Sequence, residues 1–463
     1  MYYNTHQGSA MKNNPFYTQV SIIGAGVSGS ALLFVLARYT DVASVALFEK
    51  CNEPATLNSS AKANSQTLHL GDIETNYDLQ KATHVKSSSS MVANFITHFD
   101  FEEEIGYRRN KMILAVGDQE ISRLKERYHT FKELFPSMRL WDEKMLAEKE
   151  PSLLRERTQK VMAIGVEDQI TTVDFHKLSQ TFITLAQEEK STLSTLHFEN
   201  GIESISKKGD KYLLRTLQGE HLSDIVIVNA GAHSLVFAHQ MGYGQAYAML
   251  PIGGGFYFAD DVLLKSKVYT MQHPKLPFAA VHADPDFTNG WKTRFGPTAF
   301  ATPKLENRHH FEILNLFDVL SLDKSVLEVY YDLMKDEDIR NYILENFAYQ
   351  LPGFGNNFFI SEVQKIIPSL QSEQIHYADG YGGIRPQIID KINKRLLLGE
   401  AKIDTGDGIV FNMTPSPGAS SCLGNAYEDA QRICKILDLE MDKRLLIEEL
   451  CEQSCIVTRE TLK

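Results

Sequence analysis

Gly24-Ala25-Gly26-Val27-Ser28-Gly29 has the spacing G-x-G-x-x-G. Glu49 closes the next apolar run, about 20 residues further on. Each residue type suits one part of a dinucleotide. Gly24 permits a tight turn, Gly26 lets the backbone approach a pyrophosphate, and Gly29 lets a helix pack against a strand. A carboxylate at Glu49 can accept both ribose hydroxyls, which favours FAD or NAD over NADP. The helix that must follow the glycines offers unpaired N–H groups and a positive dipole end to the pyrophosphate.

Other stretches could add chemistry. Asn64 to Tyr77 reads NSQTLHLGDIETNY and carries His, Asp, Glu and Tyr in close succession. A segment this rich is expected to be either a site or a solvated loop. Ile225-Val226-Ile227-Val228-Asn229-Ala230-Gly231 reads as a buried strand whose C-terminal end, at Gly231, points to the dinucleotide. Phe411 to Ser421 is rich in small residues and leads into a predicted helix, Cys422 to Leu437. Small residues before a helix N-terminus make a second cradle for an anion or a carbonyl.

The elements that must hold these residues follow from periodicity. Val20 to Ile23 and Val45 to Phe48 read as strands, with a helix from Ser30 to Tyr39 between them. Helices are expected over Leu79 to Phe99, Ile121 to Phe135 and Asp174 to Glu189. Two short strands are expected around Arg108-Arg109-Asn110-Lys111. Further strands are expected at Val161 to Val166, Leu196 to Ser206, Tyr212 to Thr216 and Ser223 to Val228. From Tyr247 to about Ile360 the pattern changes to short strands, among them Gly253 to Phe258, Phe278 to His282 and Lys292 to Phe295. A helical insertion follows, Phe311 to Asn346. Its Phe311, Leu314, Phe317, Leu320, Leu327, Tyr330 and Tyr331 are expected to serve as core or as a surface that docks on a membrane or partner. A strand at Arg395 to Leu398 comes last before the small-residue loop.

The chain has 463 residues, which suits two lobes better than one core. Its net charge of −12 argues against a nucleic-acid partner, because phosphate contacts need a basic surface. Five cysteines, an odd count without a C-x-x-C, suggest reduced thiols and a cytoplasmic protein. No apolar run approaches the ~18 residues of a membrane span, and residues 1–16 are expected to be a disordered tail. No metal-ligand pattern is visible.

The glycine-rich strand near the start and the small-residue loop near the end resemble the amino-acid oxidase and glycine oxidase class of FAD flavoproteins, from about Tyr17 to Leu437. Within that class the chain is most similar to the malate:quinone oxidoreductases of the epsilonproteobacterial type. The resemblance rests on Ser65-Gln66-Thr67-Leu68-His69, Gly71 to Tyr77, Val281-His282-Ala283-Asp284, Phe295-Gly296-Pro297, Gly383-Ile384-Arg385-Pro386-Gln387 and Ser416 to Ser420. Gly383-Ile384-Arg385 replaces the family's usual Gly-Gln-Arg and is nearer to the L-2-hydroxyglutarate dehydrogenases of the same class. Two L-2-hydroxy dicarboxylates therefore stay open as substrate. A flavin oxidase that turns over O₂ is a further alternative.

The resemblance implies an α/β, two-lobed flavoprotein. A Rossmann-like FAD-binding lobe with a parallel sheet would take residues 17–90, 151–245 and 370–455. A substrate lobe with an antiparallel sheet and helices would take 91–150 and 246–369. It implies non-covalent FAD, held by Gly24, Gly26, Gly29, Glu49, Lys50, Ser65, Gln66, Gly231, Gly383, Arg385, Pro417, Gly418, Ala419 and Ser420. It implies oxidation of L-malate to oxaloacetate, with hydride from C2 to flavin N5 and electrons passed to a membrane quinone by a peripheral protein. The base is expected to be His69 or His282, since an ordinary histidine pKa of roughly 6.5 suits the task. Arg385 is expected to clamp a substrate carboxylate, with Arg294 and Gln66 as further substrate contacts.

Overall fold

The computed structural model describes residues 15–272, 281–307, 313–321, 323–397, 401–413 and 418–451. The apolar run that ends at Gly24 is the middle of a sheet. Phe16–Ile23 pairs in parallel with Ser44–Phe48 on one side and Gly219–Val228 on the other. Leu193–His197 extends the sheet beyond Ser44–Phe48, and Ile409–Met413 extends it beyond Gly219–Val228, again in parallel. An antiparallel strand, Ala401–Asp404, closes that edge. Covered on both faces, the central strand is apolar through Val20, Ile22 and Ile23.

Val27–Tyr39 follows the glycines and is apolar almost all round. Such a helix must be covered on every side. Helices Phe175–Glu188 and Cys422–Leu437 pack against it in one core with Leu32, Phe34, Val35 and Leu36. A helix absent from the sequence expectation, Lys443–Leu450, caps this layer. Its Glu449 accepts from Arg38 Nε at 2.7 Å and from the Tyr39 hydroxyl at 2.7 Å.

The second lobe has a mixed eight-stranded sheet, in the order Ile375–Tyr377, Tyr257–Ala259, Lys292–Gly296, His282–Asp286, Lys267–Thr270, Lys111–Val116, Val161–Val166 and Arg139–Trp141. All its neighbours are antiparallel except Lys267–Thr270 with Lys111–Val116. A smaller sheet pairs Tyr247–Gly253 with Ile384–Asp390. The lobes interleave more finely than the expected division. Val161–Val166 and Ile375–Tyr377 fall in the segments 151–245 and 370–455, yet they pair into the second sheet, and Ile384–Asp390 joins the smaller one. The physical reason is that an apolar run records its own burial and not the distant strand it pairs with.

The insertion forms Ile313–Leu320, Lys324–Lys335 and Glu337–Ala348, followed by Gly355–Ile366. Asp323 and Asp336 start two of these helices by accepting backbone N–H groups of the first turn. Glu337–Ala348 turns Asn346 inward, where its side-chain oxygen accepts from Ala299 N at 2.6 Å. Its other face is apolar and exposed, as are the residues beyond it. Leu344, Phe347, Leu351, Phe354 and Phe358 recur every three or four positions, with Leu344 59% and Phe354 65% exposed.

Smaller differences concern boundaries. The helix expected over Ile121 to Phe135 runs Gly117–Phe131, displaced four residues toward the N-terminus and ending ahead of Pro136. Phe16 opens the first strand instead of closing a tail, and the rest of that tail lies outside the described residues except Pro15. Most of Phe278 to His282 also lies outside them, as do Phe311, Leu398 and Cys455. Among the described residues Cys51, Cys422, Cys434 and Cys451 form no disulfide. Among the described residues no helix is long and apolar enough to cross a membrane, and no cluster of His, Cys, Asp or Glu could hold a metal ion.

Candidate active site

A cavity of about 560 Å³ opens where the parallel strands end, and the glycine turn forms part of its wall. The turn could not be built from other residues. Gly24 has φ +100°, and a Cβ there would stand 2.5 Å from the Asn229 carbonyl oxygen. A Cβ on Gly29 would stand 1.9 Å from the Gly24 carbonyl oxygen, so the first helix sits directly on the turn. Gly26 faces the cavity, and Ser59 Oγ accepts from Val27 N at 3.0 Å beside it. The Glu49 carboxylate accepts from Ala25 N at 2.8 Å and from Cys51 N at 2.9 Å. It is thereby fixed in the cavity wall with lone pairs left over for ribose hydroxyls.

Across the chain, Gly383 completes the cradle, since a Cβ on it would meet the Ala63 carbonyl oxygen at 2.6 Å. Lys50, Ser65, Gly231, Ala419 and Ser420 also line the cavity, and Lys50 pairs with Glu306. Gln66 and Gly418 are buried outside the lining. Pro417 lies outside the described residues. These groups fit a dinucleotide: a turn that admits only glycine, a fixed carboxylate for the ribose, and the N-terminal end of a helix with no acid in its first turn.

The polar segment 64–77 threads between this cradle and the second lobe. Val173 N donates to the Gln66 carbonyl at 2.9 Å, and Leu68 N donates to Thr171 at 2.9 Å, which fixes its path. His69 N donates to Ser420 Oγ at 2.9 Å, so the late small-residue loop holds the early histidine. His69 lines the cavity, and its Nδ1 lies 2.5 Å from Glu74 Oε1. Burial pushes the Glu74 carboxyl up, but the hydrogen bond and charge of His69 outweigh it and hold the group below the usual range. Thr67 Oγ1 meets the Tyr269 hydroxyl at 2.8 Å. Burial raises the Tyr269 phenol well above its ordinary value, so it stays protonated as a donor.

Arg385 stands in the same cavity wall, on the strand Ile384–Asp390. Among the described residues it makes no ion pair and no hydrogen bond; its electrostatic neighbours are Tyr342 and Tyr269. Burial pulls its pKa below the ordinary guanidinium value, as expected for a cation without an anion.

The structure separates His282 and Arg294 from this group. Neither lines the cavity. His282 is buried against the Tyr269 ring, with centroids 4.5 Å apart, and its Nδ1 is 2.7 Å from Asp284 Oδ2. Arg294 is fully buried, 2.9 Å from Asp286 Oδ2, and its guanidinium lies 4.3 Å from the centre of the Phe256 ring. With Lys267 they form a buried cluster of balanced charge. Both residues sit on neighbouring antiparallel strands whose alternation turns them to the same buried layer. Sequence reasoning did not single out Thr67, Glu74, Tyr269 or Tyr342. Thr67 and Glu74 stand in the polar segment and could have been noticed there; the tyrosines stand in unremarkable runs.

Comparison with known proteins shows the family and the fold. Residues 17–428 match the family model described as malate:quinone oxidoreductase (Mqo). The chain is 45% identical to a probable malate:quinone oxidoreductase of Campylobacter jejuni, covering 93% of this chain and 98% of that one. It is 42% identical to a malate:quinone oxidoreductase of Helicobacter pylori, over 90% of this chain and 94% of that one. In fold it is similar to an FAD-bound L-alpha-glycerophosphate oxidase from Mycoplasma pneumoniae, with TM-score 0.63, 18% identity, and 90% and 95% of the two chains covered. A glycine oxidase from Geobacillus kaustophilus is similar to the same degree, with TM-score 0.63, 17% identity, and 91% and 95% covered. With a family model spanning most of its length and relatives of this identity, the chain belongs to the malate:quinone oxidoreductase family.

Proposed function

We propose that this protein oxidises L-malate at C2 to oxaloacetate with FAD and passes the electrons to a membrane quinone. Family membership supports the reaction, and the observation that carries the site is the unpartnered Arg385 in one cavity with His69. A half-buried guanidinium in a cavity wall, without an anion among the described residues, can bind a carboxylate, and its planar fork can take both oxygens.

FAD, when bound, supplies the acceptor for the electron pair that leaves C2. The chain's own residues do the rest. The glycine turn and Glu49 hold the dinucleotide non-covalently, and Ala419 and Ser420 bring the start of Cys422–Leu437 to the cavity. Arg385 fixes one carboxylate and so places C2. His69 accepts the hydroxyl proton as the electron pair departs. The relatives of 42–45% identity favour malate over L-2-hydroxyglutarate as the dicarboxylate.

A quinone acceptor is lipid-soluble, so the protein works as a peripheral membrane protein on the inner face of the cell membrane. The exposed stripe Leu344, Phe347, Leu351, Phe354 and Phe358 is the face assigned to the bilayer. Leu344 and Phe347 share the helix Glu337–Ala348 with Tyr342, an electrostatic neighbour of Arg385, which supports a docking face on the cavity's side of the molecule.

The test is anaerobic reduction of the purified yellow protein by a panel of 2-hydroxy acids, followed by turnover with a soluble quinone analogue. L-malate is expected to bleach the flavin without NAD⁺, and acid denaturation to release free FAD. Preference for L-2-hydroxyglutarate, or faster turnover with O₂ than with quinone, would overturn the assignment.

A further inference from the structure

We propose that Glu74 is a positioning residue for His69: its buried carboxylate holds Nδ1–H, leaves Nε2 free for the substrate hydroxyl, and stabilises the ring once that proton has arrived. This rests on the reading of His69 as the base. A neutral imidazole carries one N–H, and a carboxylate on Nδ1 selects the tautomer whose Nε2 can accept.

The geometry is specific. Glu74 Oε1 lies 2.5 Å from His69 Nδ1, while its second oxygen is buried without a hydrogen-bond partner among the described residues. The imidazole is therefore the one side chain to which this carboxylate is bonded there. The backbone behind it is fixed from several sides. Arg127 donates to the Glu74 carbonyl at 2.7 Å and to the Tyr77 carbonyl at 3.3 Å, and its guanidinium lies 3.8 Å from the centre of the Phe131 ring. Lys111 and Asp72, both unexposed, pair at 2.8 Å two residues before it. At the other end Ser420 holds the His69 backbone. Both halves of the pair are thus anchored independently of each other, which is what an orienting contact requires.

The charge and proton balance is closed. The C2–H bond breaks and its hydrogen leaves with the electron pair to FAD, the acceptor the reaction already supplies, while the O–H electron pair becomes the second C–O bond of the ketone. The hydroxyl O–H bond breaks and an Nε2–H bond forms. The imidazolium then carries one positive charge against the one negative charge of Glu74, so the pair goes from one net negative charge to none and the new cation is compensated where it forms. The other charged or titratable groups facing the pair are the Lys111–Asp72 pair, Arg127 through its carbonyl contacts, Tyr269 beside the ring, and Arg385 in the same wall.

The experiment uses the FAD-loaded full chain and three readouts. Stopped-flow flavin reduction is measured over malate concentration and pH for wild type, Glu74→Gln, Glu74→Asp, His69→Ala and the double variant Glu74→Gln/His69→Ala. Histidine C2–H NMR, without malate, follows the His69 resonance, identified by its loss in His69→Ala. In Glu74→Gln the amide oxygen can still hold Nδ1–H but the charge is gone. Its His69 titration and the rising limb of its rate profile are expected at lower pH by about one unit, a tenfold loss of proton affinity. The plateau rate should fall about 10–100-fold while malate affinity stays within about threefold. Glu74→Asp keeps the anion and should fall between the two, which keeps the test open if the amide variant folds badly. In the His69→Ala background Glu74→Gln should add no further loss. An unmoved His69 midpoint in the Glu74 variants, or a further loss in the double variant, overturns the proposal alone. Full-rate reduction by His69→Ala overturns the base reading and the proposal with it.

Discussion

His69 and Arg385 line one cavity wall, and the duties proposed for them are separable by single substitutions. His69→Ala should slow anaerobic flavin reduction by about 10²–10⁴-fold with little change in malate affinity, because a base acts mainly in the transition state. Arg385→Ala should instead weaken malate binding strongly, since its carboxylate contact exists before and during reaction. Stopped-flow reduction over malate concentration distinguishes the two, and a normal dissociation constant in Arg385→Ala would make that arginine structural. At this scale the sequence was legible where a residue type has one use. Gly24 and Gly29 sit where a Cβ would stand 2.5 Å and 1.9 Å from a carbonyl oxygen, and the Glu49 carboxylate is tied to the backbone of that turn at Ala25. It was less legible where a residue type has several. His282 and Arg294 have the same chemistry as His69 and Arg385, but strand alternation turns them into a buried ionic cluster. Only tertiary placement tells the pairs apart.

Elements were read best where periodicity and a stop signal agree. Cys422–Leu437 was expected with the ends it has, and Val27–Tyr39 follows its glycines as the motif requires. The short helix Lys443–Leu450 was missed because half of its eight residues are charged; what holds it is the burial of Leu446 and Leu450 and a long-range contact of Glu449 with Arg38 and Tyr39. Of the insertion residues expected to serve as core or as a docking surface, Leu320 and Tyr330 pack against buried clusters, while Phe317, Leu327 and Tyr331 are exposed. Val326 and Val329 pack inward against Ala248 and Ile389, while Leu344, Phe347, Leu351, Phe354 and Phe358 face outward. Replacing Leu344, Phe347 and Phe354 together with serine should reduce co-sedimentation with quinone-containing phospholipid vesicles by about tenfold or more, given ~0.8 kcal/mol per buried methylene. Reduction of the flavin by malate in solution should survive. Unchanged sedimentation would move the membrane face elsewhere.

Across the whole molecule, buried histidines make stability depend on pH. Burial, reinforced by His197, pushes His221 down to about 4 in the folded chain, where it meets Thr18 Oγ1 at 2.8 Å beneath the first strand. Burial also lowers His282 and His197. A histidine with a lowered folded pKa binds its proton more readily when unfolded. Its contribution is therefore complete above the ordinary value of about 6.5 and is lost as pH falls from there. For His221 the loss should run from about 6.5 to about 4. Urea unfolding over a pH series should show stability falling through that window, and His221→Gln should fall less steeply; parallel curves would exclude His221 as a source. The two-lobed plan was legible from length and from the change of pattern after Tyr247, but the division was not, because strand pairing between distant runs leaves no local mark. That interleaving has a consequence during synthesis. Val27–Tyr39 needs cover on every side, and part of its cover, Cys422–Leu437, emerges almost at the end of translation. At ~5–20 residues per second the first helix waits roughly 20–80 s for it. Through that interval a nascent chain carries an apolar helix covered by Phe175–Glu188 but open on the side Cys422–Leu437 will take, and a product released before Cys422 should aggregate instead of taking up flavin.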